Sequence, residues 1–407
     1  MKKCSRFILF ILFSSVFIST SSAQRINFKS GKVLSKNYFE ELSFKFEKNK
    51  IIIPVEIKGK TYRFLLDTGA PNIISKEVYE SIQPKNNRTL STSDANAITQ
   101  KLEFVTLEKV KLGAVEFQGF SALVFDLNGN EIFKCFNIDG FIGSNMLRHS
   151  IIQIDTKQQK IKLTDKAKYL GLNKENSQKI KFADNQYGPY IWVDLRREEN
   201  VREMVLIDTG MGSLYDISKN NYNIIKTKHI YNSIGNSDGA SSLSLFGEVP
   251  ISNHTRVHLP KLIINGFQIN NVITHTSNGD HSKMGAELLN HGVMTLDYKN
   301  KRFYFNSYEE SLDLEGDFGF TQTLKDNKLV VGYVWDKDLK AKINYGDEIL
   351  EVNGKAIVSD DFCDYITKTS HFKTSDSLLL KVKTDENTVI NLKVKKKPLS
   401  LILDNNN

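Results

Sequence analysis

The sequence predicts a mainly β protein made of two copies of one unit followed by a smaller module, and three observations carry that prediction. Apolar runs that end in Asp-Thr-Gly occur twice, at Asp67 and at Asp208. The segments around them recur in the same order, with the period-two alternation of half-buried strands. Beyond residue 313 the pattern changes to a hairpin-rich stretch with no counterpart upstream.

With 407 residues, 40% apolar and 25% charged, the chain is an ordinary globular protein large enough for two or three domains. Its start differs. Lys2, Lys3 and Arg6 precede an apolar run from Phe7 to Ile18, and Ser21-Ser22-Ala23 supplies the small residues of a cleavage site before Gln24. This is the layout of a secretory signal, and the run is short for a membrane span. Residues 1–23 are expected to be removed, leaving 24–48 as the leader of an exported chain (periplasm, cell envelope or medium) with no stable membrane span; an uncleaved anchor is the alternative. That leader either occupies a cleft or adds a strand. The net charge is +8, falling to +5 without the three leader cations. The excess is spread thinly, and the densest run, Lys393 to Lys397, decorates a terminal strand rather than forming a nucleic-acid surface. Cys135 and Cys363 fall in different domains, so no disulfide framework is readable.

The first unit, 49–165, begins with "IIIPVEIKGKTYRFLLDTGA", a strand, a turn at Gly59 and a strand ending at Asp67. The second, 180–306, has "YIWVDLRREENVREMVLIDTG" in the same role. "LGAVEFQGF" (112–120) then matches "INGFQINNV" (264–272), and "DGFIGSNML" (139–147) matches "SKMGAELL" (282–289), aligning Gly143 with Gly285. The hairpins "IIQIDTKQQKIKL" (151–163) and "GVMTLDYKNKRFYF" (292–305) close the two copies. Units of this size are domains, not solenoid repeats.

A carboxylate at the end of a buried strand costs several kcal/mol unless it is hydrogen-bonded, paired or used. If the units pack about a pseudo-twofold axis, Asp67 meets Asp208, and two adjacent carboxylates share one proton, which supplies an acid and a base together. Thr68 and Thr209 are placed to brace the loops across the axis, and Gly69 and Gly210 to let backbone N–H groups approach the carboxylates.

"FLLDTGAPNIIS" followed by "DGFIGSNML" resembles aspartic proteases of the retropepsin and pepsin type, over roughly residues 50 to 306. The resemblance implies a bilobal acid-protease fold of two β-barrel lobes, a catalytic dyad of Asp67 and Asp208, and a hairpin flap over the cleft. With both halves in one chain a dimer is not required. The departures are Met211-Gly212 after the second Asp-Thr-Gly, expected to crowd Asp208, and flap stretches (91–100 and 233–248) with no flap tyrosine evident in the first. Neither copy has a hydroxyl directly after the motif, which predicts dyad pKa values on the high side and activity above strongly acidic pH.

Residues 314–400 form the third module. "YGDEILEVNG" (345–354) resembles the hairpin of PDZ domains, and its Asn-Gly turn is a hairpin signal in its own right. By the same resemblance Phe318, Gly319 and Phe320 correspond to the loop and strand that bind a peptide's terminal carboxylate. His254 and His258 share a strand face with no acidic or thiol partner placed beside them and read as a solvated pair; His149 and His291 read as structural at most. No Walker A loop, H-E-x-x-H, C-x-x-C or G-x-S-x-G is present, so neither metal nor cofactor is expected. Two readings result: an exported aspartic endopeptidase acting on polypeptides, with a PDZ-like module that recruits peptide tails, or a non-catalytic exported peptide-binding protein on a degenerate protease scaffold.

Overall fold

The computed structural model describes residues 28–404 apart from 85–86, 94–97, 184, 241–242, 358–361 and 369–374. The expected export leader, 1–23, and the tip of the first flap stretch lie outside the described residues.

The chain opens with β1 (Lys32–Val33), β2 (Phe39–Ser43), β3 (Lys45–Glu47), β4 (Lys50–Ile57) and β5 (Lys60–Asp67). β4 and β5 form a hairpin through Lys58 and Gly59, both at positive φ (51° and 79°), as a two-residue turn matching the strand twist requires. β6 (Ile73–Ser75), β7 (Asn87–Ser93), β8 (Thr99–Leu112), β9 (Val115–Phe125) and β10 (Gly140–Gly143) complete a sheet of order β1-β9-β6-β10-β5-β4-β8-β7, and a further pairing of β8 with β9 closes it into a barrel. Phe64 and Leu66 of β5 are fully buried inside it. Burial of such side chains contributes about 1.5–3 kcal/mol each, which pins the register that delivers Asp67 to the strand end.

β11 (Ile151–Asp155) and β12 (Lys160–Thr164) leave this barrel. There follow β13 (Gln178–Lys179), β14 (Lys181–Phe182), β15 (Pro189–Arg196), β16 (Asn200–Asp208), β17 (Tyr215–Ser218), β18 (Asn232–Gly239), β19 (Leu243–Ser244), β20 (Gly247–Glu248), β21 (Ser252–Ile264), β22 (Phe267–Ser277) and β23 (Lys283–Gly285). Their main sheet runs β14-β15-β16-β23-β17-β22-β21-β18 and is closed by β15 on β21. The six strands that close it follow the cyclic order of the first barrel, with β15 in the place of β4, β16 of β5 and β23 of β10. β24 (Gly292–Asp297) and β25 (Arg302–Ser307) join β11 and β12 in a six-stranded sheet, order β13-β25-β24-β11-β12-β2, which couples the two barrels. One hydrophobic core runs through both barrels and this shared sheet. The segment before β4 adds strands: β1 pairs with β9, β2 with β12 and β3 with β4.

β26 (Ser311–Asp313) lies along β22 and leads into a separate sheet, with its own core, of β27 (Phe320–Lys325), β28 (Lys328–Val334), β29 (Glu348–Val352), β30 (Lys355–Ala356), β31 (Ser377–Lys383) and β32 (Val389–Lys395). Asn353 and Gly354, both at positive φ, turn β29 into β30 as the Asn-Gly signal predicts. This module packs on the second barrel. Tyr333 packs, with its ring tilted, among His254, His275 and Trp335, Ser237 Oγ accepts the Val334 N–H at 3.0 Å, and buried Arg256 pairs with Asp317.

Two expectations are corrected here. Cys135, between β9 and β10, and Cys363, beyond β30, form a disulfide that ties helix Glu131–Phe136 to helix Phe362–Thr367. The fold brings together two cysteines 228 residues apart, a proximity that spacing does not report. His254 and His258 are not solvated. Both are buried on one face of β21: His254 bonds the Thr276 carbonyl and Ser252, and His258 lies against Asn232 and Asn271.

Candidate active site

Each Asp-Thr-Gly sits where an apolar strand leaves its barrel. β10 runs parallel to β5 with Gly143 opposite Asp67, and β23 runs parallel to β16 with Gly285 opposite Asp208. The glycines there are steric requirements. A Cβ on Gly143 would strike the Ala70 carbonyl and Pro71, and one on Gly285 the Ser213 and Met211 carbonyls.

The loops interlock reciprocally. The Thr68 N–H donates to Thr209 Oγ1 at 3.1 Å, while the Thr68 hydroxyl donates to the Ile207 carbonyl at 2.6 Å. The Thr209 N–H donates to Thr68 Oγ1 at 3.0 Å, and the Thr209 hydroxyl to the Leu66 carbonyl at 2.7 Å. Both threonines are buried. Ser144 extends the brace, donating to the Thr68 carbonyl and contacting the Tyr298 hydroxyl, each at 2.7 Å. In Thr209→Val the shape is kept but a buried N–H and a buried carbonyl lose their partner. The expected cost is about 2–4 kcal/mol, read as a lower urea midpoint with an unchanged slope.

Gly69 and Gly210 bring the aspartates face to face. A Cβ on Gly69 would lie 2.6 Å from both Asp208 carboxylate oxygens, and one on Gly210 would meet the Asp67 carboxylate just as closely. The Gly69 N–H donates to Asp67 Oδ1 at 2.9 Å, and the Gly210 and Met211 N–H groups to Asp208 Oδ1 at 3.0 and 3.2 Å. Met211 thus adds a donor to Asp208, and its side chain lies beside Gly285.

Two lysines that sequence reasoning missed complete the site. Lys283 Nζ is 2.9 Å from Asp208 Oδ2, with a side chain 19% exposed. Lys50, half-buried, donates to the Gly210 carbonyl. Lys283 had a signal: in the alignment of "SKMG" with "GFIG" it stands where the first copy has Phe141. Lys50, the first residue of β4 after a charged turn, had none.

Burial and the neighbouring Asp208 charge push Asp67 up to about 7 against the pull of Lys283, Lys50 and the Gly69 N–H. Burial also works to raise Asp208, but Lys283, Lys50 and the Met211 N–H outweigh it and hold this carboxyl below its ordinary value. Burial drags Lys50 down; for Lys283 burial is again the largest single influence and lowers it, but the combined pull of Asp208, Asp67 and Asp216 outweighs burial and raises it. The expectation of high dyad pKa values therefore fits Asp67 and not Asp208. From below the ordinary carboxylate range to about pH 7 the pair holds one proton, a protonated acid beside an ionised base.

Phe318 and Phe320 are buried in the C-terminal core, and the Gly319 N–H donates to Asp317 Oδ1 at 2.7 Å while its carbonyl accepts from Trp335 and Asp336. Among the described residues no cluster of histidine, cysteine and acidic side chains is arranged to hold a metal, and no helix is long and apolar enough to cross a membrane.

Residues 53–146, which contain Asp67 but not Asp208, match the model of the family described as Aspartyl protease. The first barrel is in this respect similar to aspartyl proteases. A retropepsin-like aspartic protease from Rickettsia conorii is similar at 20% identity over 33% of this chain and 92% of that chain, with a TM-score of 0.23. No curated protein matches.

Proposed function

We propose that this chain is an exported aspartic endopeptidase that hydrolyses peptide bonds with a water activated between Asp67 and Asp208. The observation that carries this reading is the meeting of the two aspartates on loops locked by Thr68 and Thr209. The ionised carboxylate takes a proton from the water as it attacks the peptide carbonyl, and the protonated one donates toward the developing oxyanion before a proton reaches the leaving amine. In this reading 49–165 and 180–306 are duplicated lobes, and 314–400 is a PDZ-like module that recruits peptide tails through the Phe318-Gly319-Phe320 loop. The hydrophobic leader and the Cys135–Cys363 disulfide both support export to an oxidising compartment. The alternative, a non-catalytic peptide-binding protein, has one observation in its favour: Lys283 already satisfies Asp208.

The test is cleavage of an unfolded protein by residues 24–407 between pH 3 and 8. The expected rate is sustained through mildly acidic pH and declines as pH rises through about 7, where Asp67 loses its proton. Absence of cleavage by the folded chain across this range would favour the binding protein.

A further inference from the structure

The two barrels share one strand order, yet the groups around the two aspartates are unequal. Asp208 accepts three donors: the Gly210 and Met211 N–H groups on Oδ1 and the Lys283 ammonium on Oδ2. Among the described residues Asp67 accepts one, the Gly69 N–H. Lys283 enters from β23 at the position where β10 carries Phe141, a side chain buried in an apolar cluster beside Leu65. An ammonium on one oxygen and two N–H groups on the other stabilise the ionised form of Asp208. Asp67, half-buried with a single donor, is left with the shared proton.

We propose that Lys283 is a positioning residue that breaks the symmetry of the pair, holding Asp208 as the permanent base and leaving Asp67 as the acid. The inference rests on the protease reading only in naming those roles base and acid; the unequal ionisation is a property of the folded chain. The charged groups acting on Lys283 are Asp208 from β16, Asp67 from β5 and Asp216 from β17, with Lys50 from β4 facing the same two carboxylates. Asp216 is a neighbour along the sheet, paired in register with Lys283. Lys50 lies near both aspartates and is bonded to the Gly210 carbonyl, so it does not discriminate between them as a direct ion pair does.

The experiment is a carbon-13 NMR titration of the folded chain labelled at aspartate carboxyls, with the two signals assigned through Asp67→Asn and Asp208→Asn. In the parent, Asp208 is expected to ionise first. In Lys283→Met its midpoint is expected to rise by about one pH unit or more, a tenfold or greater change in ionisation, and Lys283→Arg to restore it. An unmoved Asp208 midpoint in folded Lys283→Met overturns the proposal. So does a parent in which Asp67 ionises first, a result that needs no Lys283 variant to fold. The titration requires no turnover. If the shift occurs and no peptide is cleaved, the protease reading fails and the role of Lys283 in ionisation stands; if peptide is cleaved and Asp208 does not move, the reverse holds. Where cleavage is seen, the acid limb of its pH profile is expected to rise with the Asp208 midpoint in Lys283→Met and to return in Lys283→Arg.

Discussion

Asp67→Asn and Asp208→Asn are each expected to lower peptide hydrolysis by about 10²–10⁴-fold or more, since each removes one half of the acid–base pair. Their effects on stability are expected to be opposite in sign. Asp67 has a folded pKa near 7 against an ordinary 3.8, so the folded chain binds its proton more tightly than the unfolded chain. Its contribution is most favourable below about pH 4 and declines as pH rises to about 7, in total on the order of a few kcal/mol. Asp67→Asn removes that decline and is expected to unfold at higher urea than the parent at pH 8, with little difference at pH 4. Asp208 is depressed, so its contribution is present above its ordinary pKa and is lost as pH falls through the folded value. Asp208→Asn also leaves the Lys283 ammonium without its partner, a loss of about 3–5 kcal/mol for a buried pair. Urea unfolding of both variants at pH 4 and pH 8 checks the signs. Equal destabilisation of the two at pH 8 would contradict the unequal environments of the aspartates.

Gly210→Ala is expected to damage the site as severely without replacing a carboxylate. The added methyl would stand 2.6 Å from Asp67 Oδ1, so the Asp67 carboxylate or the loop that carries it must shift. Overpacking of this kind costs about 1–3 kcal/mol, and a displacement near 1 Å between reacting groups costs about 100-fold in rate. Gly212→Ala is the control for stability: the nearest atom to its Cβ, the Lys48 carbonyl oxygen, is 3.6 Å away, and the expected change is within about 0.5 kcal/mol. Urea unfolding and cleavage rate, measured together, separate a displaced dyad from a general loss of folding.

Much of the architecture was legible because it is written in local periodicity and recurring turns. The Lys58-Gly59 and Asn353-Gly354 turns, the alternation along β15 and the strand run-ups to Asp67 and Asp208 are properties of short segments, and they fold as their patterns require. The environment of His254 was not legible. An alternating strand reports which residues share a face, whereas burial of that face depends on Tyr333 arriving from another module. Met211 shows the same limit: its size suggested crowding, while its backbone N–H became a donor to Asp208.

The sequence by itself determined that the chain is mainly β and carries two matching Asp-Thr-Gly strand ends, because strand period and turn chemistry are set by residues close together. Only the tertiary structure decided that Lys283 rests on Asp208, that Lys50 enters beside it, and that Cys135 meets Cys363. Those contacts join residues far apart in the chain. Charge and covalent pairing act through distance in space, which no local pattern encodes.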